Sequence, residues 1–329
     1  MFNTAKILDD LMREVFVLLL KSKSRIRATK GETHEISGML VQLETPNARI
    51  SRTDIKGTIF SCLGEFLWYL SGTNSLEFIS YYLPLYSEFS DDKETLHGAY
   101  GPRIFGVDRK GPFFTVLELL KRKPTSRQAV IQVFKSEDLD SNTKDVPCTC
   151  TLQFLVRDEM LHLSVTMRSN DAYKGLPHDI FAFTLIQEIM GRSLGLPVGL
   201  YKHYVGSLHL YTEDFDNVKK YLDEDWQSNT PMPRMPEGDP WPSIEKLLII
   251  EKTLRLGISF DDKVLDELDG YWADFARILI VFKLSKESGR TMVARKYIKN
   301  MSSDVYFSYL KKRVDKLEQT GDTQSDLFE

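Results

Sequence analysis

The run from Pro147 to Asp179 constrains this chain more than any other stretch. It reads P-C-T-C-T-L-Q-F-L-V-R-D-E-M-L-H-L-S-V-T-M-R-S-N-D-A-Y-K-G-L-P-H-D. Two strand-like segments, Cys150 to Val156 and Leu161 to Arg168, flank Arg157-Asp158-Glu159, whose residue types suit a turn. In the second segment Leu161, Leu163, Val165 and Met167 alternate with His162, Ser164, Thr166 and Arg168. A period of two puts the polar set on one face of a strand. A hairpin centred near Asp158 sets Cys148 almost opposite Arg168. A guanidinium beside a thiol favours the thiolate, which is the nucleophilic form. The competing reading is a half-buried hairpin with an inert cysteine, a common habit of that residue.

The rest of the chain organises around this unit. Residues 1–20 read as an amphipathic helix, and residues 25–50 as strands after a polar loop. Residues 57–72 and 76–86 read as helices, Gln128–Phe134 as a strand, and Asp179 to Leu194 as a largely apolar helix. Strand-like residues around Tyr201–Tyr211 follow. Residues 1–228 are expected to form one catalytic core. Asn229–Pro242, N-T-P-M-P-R-M-P-E-G-D-P-W-P, is a proline-rich connector. Residues 243–329 read as a helical extension. Ser243 caps a first helix stopped at Gly257, Tyr271–Leu284 is a buried helix, and Arg290–Leu317 is one or two amphipathic helices. The last residues, from Gln319, read as frayed.

Other fragments carry chemistry in the same order along the chain. They are G-E-F-L-W-Y-L-S-G-T-N (Gly64–Asn74), H-G-A-Y-G-P-R (His97–Arg103), S-R-Q (Ser126–Gln128) and S-L-H-L-Y (Ser207–Tyr211). Each alone is weak. Together with the Cys148 run, their order and gaps resemble the thymidylate synthase family, which includes phage deoxycytidylate hydroxymethylases. The resemblance covers about Arg25 to Asn217. It implies an α/β (α+β) fold in which a bent mixed sheet is surrounded by helices and forms the interface of a homodimer.

The resemblance also implies roles. Cys148 adds to C6 of a pyrimidine nucleoside monophosphate, which turns C5 into a nucleophile for a one-carbon unit from 5,10-methylenetetrahydrofolate. Arg168 and Ser169 hold the phosphate, a task suited to a guanidinium fork. Arg127 is lent by the second subunit, making the site composite, although Gln128 stands where the family has a second arginine. Arg27 is the early-loop phosphate ligand, with Arg25 as the alternative. Glu65 and Tyr100 organise acid–base steps. Asp171, Gly175 and Tyr86 face the folate, with Gly175 letting the ring approach the backbone. His209 and Tyr211 hold the sugar hydroxyl.

Asp179 departs from the asparagine of thymidylate synthases. An amide matches uracil. A protonated carboxyl donates to cytosine N3 and accepts from its amine, and burial favours that protonated state. Asp179 also precedes an apolar helix and is a possible cap. Tyr86 occupies a segment where the family carries tryptophan, and the familiar short closing tail is absent. Both changes favour water over hydride in the last step, giving a 5-hydroxymethyl product. The expected activity is therefore (deoxy)cytidylate 5-hydroxymethylation. Methylation of dUMP and a catalytically idle binding dimer are the alternatives.

Composition sets outer bounds. The chain has 329 residues, 42% of them hydrophobic and 27% charged, with a net charge of −4. The absence of a basic run argues against a nucleic-acid polymer as partner. Three cysteines, Cys62, Cys148 and Cys150, make neither a disulfide framework nor a zinc site. No apolar run is long enough to span a membrane, and the first residues lack signal-peptide organisation. A reducing cytoplasm is the expected compartment, with no metal required. Cys62, Cys150, His34 and His162 read as structural.

Overall fold

A computed structural model describes residues 1–28, 31–51, 58–140, 142–224 and 230–325. The chain divides into two compact units, Met1–Met232 and Pro233–Glu329. The boundary expected after residue 228 lies outside the described residues, as does the start of the helix expected from residue 57.

The first unit is built on one mixed sheet. Its strands are β1 (Phe2–Ala5), β2 (Arg25–Ala28), β3 (Gly31–Leu43), β4 (Val130–Gln132), β5 (Thr149–Arg157), β6 (Met160–Asp171) and β7 (Val198–Tyr211). The order is β1-β3-β7-β6-β5-β4, with β2 pairing the start of β3. β1 runs parallel to β3, and β6 parallel to β7. The other neighbours are antiparallel. The helices are α1 (Leu8–Lys21), α2 (Ile59–Leu70), α3 (Leu76–Tyr82), α4 (Tyr100–Ile104), α5 (Pro112–Arg122), α6 (Glu137–Asp140), α7 (Leu176–Leu194) and α8 (Phe215–Asp223).

The hairpin forms as its sequence dictates. Asp158 (φ 50°) and Glu159 (φ 57°) both adopt left-handed backbone, as the two-residue turn matching strand twist requires. Leu161, Leu163, Val165 and Met167 are buried, whereas His162, Ser164 and Thr166 are half-buried on the opposite face. α7 packs on the apolar side, where the Gln187 amide donates to the carbonyl of Leu161 at 2.9 Å. Gly195, at φ +69°, ends α7 in the left-handed cap that favours glycine. α2 is buried along almost its whole length, so Glu65, 5% exposed, is a carboxylate carried inside the core.

Three expectations are corrected. The first residues are not all helical: Phe2–Ala5 pair in parallel with Leu40–Leu43 before α1 begins, because a distant strand offers a free edge. The helix expected over 76–86 stops at Tyr82, where Pro84 opens a short 3₁₀ turn. In the second unit, Ser243 is not a cap. Helix α9 (Trp241–Arg255) starts ahead of it, with the Asp239 carboxylate accepting from the Trp241 N–H at 3.2 Å. α10 (Gly270–Leu284) is capped by Asp269 and buried along most of its length. α11 (Thr291–Lys299) and α12 (Phe307–Ser325) complete this unit, so helix continues well past Gln319.

Candidate active site

A cavity of about 480 Å³ opens beside Cys148, a volume typical of a ligand site. Trp68, Tyr69, Tyr86 and Phe89 make an aromatic wall, and Tyr100, Asp145 and Arg168 add polar groups. The sheet positions the cysteine. The Arg168 N–H donates to the Cys148 carbonyl at 2.9 Å, so the two residues face each other across the start of the hairpin. The Arg168 guanidinium donates from Nε to the carbonyl of Pro147 and from Nη2 to that of Val146, both at 2.9 Å. It therefore clamps the loop that presents the thiol.

The expectation for the thiol itself is reversed. Burial pushes the Cys148 thiol up, and Arg168 only partly offsets this, while Asp179 and Asp145 add to the rise. Losing hydration costs the thiolate more than one partly exposed guanidinium restores. Cys148 thus rests as a thiol here, and its ionisation depends on what enters the cavity.

Tyr100 lines this cavity, whereas Glu65 and Asp179 do not; Glu65 contacts the lining Tyr86, and Asp179 lies near enough to Cys148 and Tyr100 to push both up. The Tyr86 hydroxyl donates to Glu65 Oε1. Tyr100 accepts at its hydroxyl from the Thr149 N–H at 3.2 Å. Burial holds the hydroxyls of Tyr69, Tyr86 and Tyr100 well above their ordinary range, so all three keep their protons at neutral pH. Asp179 is 9% exposed. Burial first and Glu65 second push its carboxyl up to about 8, against the opposing pull of His178 and Asn170. The Asn170 amide donates to Asp179 Oδ2 at 3.0 Å. Asp179 is not the cap, because α7 begins at Leu176 with Gly175 at the N-cap position.

The remaining predicted residues fall in two groups. The register of β6 on β7 sets Ser169 beside Ser207 and Asp171 beside His209. His209 and Tyr211 stand ring to ring at 5.2 Å. Asp171 Oδ1 accepts from the N–H groups of Tyr173 and Lys174 at 2.8 and 3.0 Å, which stabilises the turn into α7. Gly175 is required for a reason sequence reading missed: a Cβ there would lie 2.5 Å from Asn170 Oδ1. Arg27 and Arg127 are exposed, and neither they nor Ser169, Asp171, Gly175, His209 and Tyr211 line the cavity. Arg27 pairs with Glu32 on the β2–β3 ladder, and the Arg127 carbonyl accepts from the Gln153 amide at 3.1 Å.

Several site residues were not foreseen. Trp68 and Tyr69 follow Glu65 on α2 and join the cavity wall. Asp145 accepts from the Gly98 N–H at 2.8 Å and borders the cavity. Asn170, His203 and Tyr201 form a buried polar row behind Asp179. The signal for the last pair was present: Tyr201 and His203 occupy core-facing positions of an alternating strand. Among the described residues no cluster of three metal-ligating side chains occurs, and no helix is long and apolar enough to cross a membrane.

A mixed sheet beside a cavity lined by a cysteine, an arginine and an aromatic wall defines a class, and comparison names it. The chain belongs to the thymidylate synthase family, whose model matches residues 8–245. Among its relatives is a deoxyuridylate hydroxymethyltransferase of Bacillus phage SP01, 31% identical over 225 residues and matched over 64% of this chain. A deoxyuridylate hydroxymethyltransferase of Delftia phage PhiW-14 is 26% identical over 242 residues, 69% of this chain. The chain spans 56% and 66% of the lengths of these two relatives. A thymidylate synthase of Bacillus phage phi3T is 25% identical over 58% of this chain and 72% of its own length. The fold is that of thermostable thymidylate synthase A from Bacillus subtilis. That match has a TM-score of 0.57 at 20% identity and covers 68% of this chain and 86% of that one.

Proposed function

We propose that the chain is a nucleotide 5-hydroxymethyltransferase that acts on a cytosine nucleoside monophosphate, with dCMP preferred and CMP also considered. The observation carrying this reading is Asp179, buried and pushed up to about 8. Protonated, it offers one donor and one acceptor, the complement of cytosine N3 and its amine. Asn170 donating to Oδ2 favours the proton on Oδ1, from which it can be passed toward N3. Cys148 gives its thiol proton to solvent and bonds through Sγ to C6, while the C5–C6 π electrons move to C5. Glu65, held by Tyr86, is placed to order the water that takes the C5 proton and later completes the hydroxymethyl group. Arg168, Ser169 and Arg127 are the proposed phosphate ligands, and His209 and Tyr211 the sugar ligands.

The aromatic wall of Trp68, Tyr69, Tyr86 and Phe89 suits a flat pterin, so these residues fit the family's folate. 5,10-Methylenetetrahydrofolate would supply the one-carbon unit at the level of formaldehyde. Asp171 is the proposed pterin partner. A homodimer in which Arg127 crosses to the second site accounts for its distance from its own cavity. The sheet face bearing Ser164, Thr166, Lys202 and Tyr204, the last 40% exposed, is the proposed interface. We place the enzyme in the cytoplasm.

A second reading is deoxyuridylate hydroxymethylation, favoured by the names of the two phage relatives. A third is dUMP methylation, favoured by the phi3T relative. Mass spectrometry of the products from dCMP, CMP and dUMP, each with methylenetetrahydrofolate, separates them. A cytosine product heavier by CH₂O supports the proposal. Turnover of dUMP alone overturns the reading of Asp179, and a methyl product overturns the water step.

A further inference from the structure

We propose that His203 is a positioning residue for base selection, locking the Asn170 amide as a donor to Asp179. The proposal rests on Asp179 being the base reader and goes one layer behind it. Asn170 Nδ2 lies 3.0 Å from Asp179 Oδ2 and 3.3 Å from His203 Nε2. His203 Nδ1 lies 2.7 Å from the Tyr201 hydroxyl. An amide nitrogen only donates, so His203 Nε2 must accept. Burial drives the imidazole down to about 3, so it is neutral, with one proton to place. With Nε2 accepting, that proton sits on Nδ1 and is donated to Tyr201.

The row therefore has one direction: His203 to Tyr201 on one side, and Asn170 to both His203 and Asp179 on the other. Reversing the Asn170 amide would set its carbonyl oxygen against His203 Nε2 and Asp179 Oδ2, which could meet it only by moving the imidazole proton to Nε2 and the carboxyl proton to Oδ2. All four side chains are buried or nearly so, where a mispaired polar group is costly. Gly175 leaves the room that the Asn170 amide occupies, because any side chain there would collide with it. With Asn170 donating to Oδ2, the better acceptor role falls to Oδ2 as the carbonyl oxygen, which favours the Asp179 proton on Oδ1. His203 thereby decides which edge of Asp179 meets the base without touching the base itself.

The test compares dCMP with dUMP in kcat/KM across pH for wild type, His203→Phe, His203→Gln and Asp179→Asn. Removing the acceptor lets the amide turn. His203→Phe should lower the cytosine-over-uracil ratio by about ten-fold or more. The basic limb of the dCMP profile should move to higher pH, because a carboxylate losing a donor holds its proton more tightly. Other groups facing Asp179 stay in place: Glu65 and Tyr69 on α2, Tyr86, Tyr100, Cys148, Tyr201, and His178 beside it. His203→Gln should restore most of the ratio, since its amide oxygen can accept from Asn170. An equal loss on both nucleotides with an unmoved limb would overturn the proposal. Should His203→Phe not fold, Tyr201→Phe removes the hydroxyl that fixes the Nδ1 proton. A ratio there within about two-fold of wild type is equally damaging. An unchanged ratio in Asp179→Asn overturns the base-reading proposal itself. A change there but in neither His203 nor Tyr201 variants overturns only this one.

Discussion

Replacing Asp179 with asparagine removes the titrating proton proposed to face a base and leaves an amide that can present its donor and acceptor either way round. A carboxyl at about 8 is roughly nine-tenths protonated at pH 7 and about one-tenth at pH 9. Wild-type kcat/KM for dCMP should therefore fall about ten-fold between those values. The uracil-matching amide has no such titration, so the variant should be flat there. When the amide introduced at position 179 and the Asn170 amide turn together, two hydrogen bonds to the base change sense. Each buried donor or acceptor left unmatched costs about 1–3 kcal/mol. The swing is then about 2–6 kcal/mol, or from about 30-fold to beyond about 10⁴-fold in the dCMP/dUMP ratio. Stability supplies a second reading. The folded carboxyl holds its proton up to about 8, whereas the unfolded one releases it near ~4. Between those values the native state binds more protons, so wild-type stability declines as pH rises toward 8. Asp179→Asn lacks this decline and should gain on wild type progressively from about pH 4 to pH 8. Release of tritium from C5-labelled nucleotides gives the rates, and urea unfolding gives the stabilities. A ratio unchanged within about two-fold, with parallel stability curves, would refute the reasoning.

Three further expectations concern the cysteine, the dimer and the core. Cys148→Ser should abolish turnover and keep nucleotide binding measurable by calorimetry; wild-type activity would remove Cys148 as nucleophile. Mixing Arg127→Ala with Cys148→Ser subunits should recover part of the activity if sites are shared. No recovery in confirmed heterodimers speaks against a lent arginine. Glu188→Gln strands the Arg49 guanidinium, now paired at 2.6 Å in a fully buried site, and should cost about 3–5 kcal/mol in urea unfolding. A loss under about 1 kcal/mol would mean the pair is not desolvated as drawn.

Much of the fold was legible where local order sets the structure. The hairpin at Asp158–Glu159, the buried α2 and the long α7 follow from periodicity and turn chemistry. β1 was not legible, because Phe2–Ala5 become a strand only by meeting Leu40–Leu43. The helix running past Gln319 was also missed, since polar composition does not by itself forbid helix. In the site, the chemical types at 65, 100, 148, 168 and 179 stood out. The row through Asn170, His203 and Tyr201 did not, because Asn170 lies on a different strand from the Tyr201–His203 pair and each is ordinary one by one.

What the sequence by itself determined was therefore the inventory and its order: a thiol before a strand, a guanidinium across from it, an acid entering a helix. Those facts depend on spacing, which the chain carries with it. Only the tertiary structure decided their energies. It buried Cys148 enough that Arg168 no longer governs its proton. It set Glu65 near Asp179 in a space with little water, lifting that carboxyl to about 8. The cost of a charge depends on the dielectric and on neighbours from other elements, and neither exists until α2, the hairpin and α7 have come together.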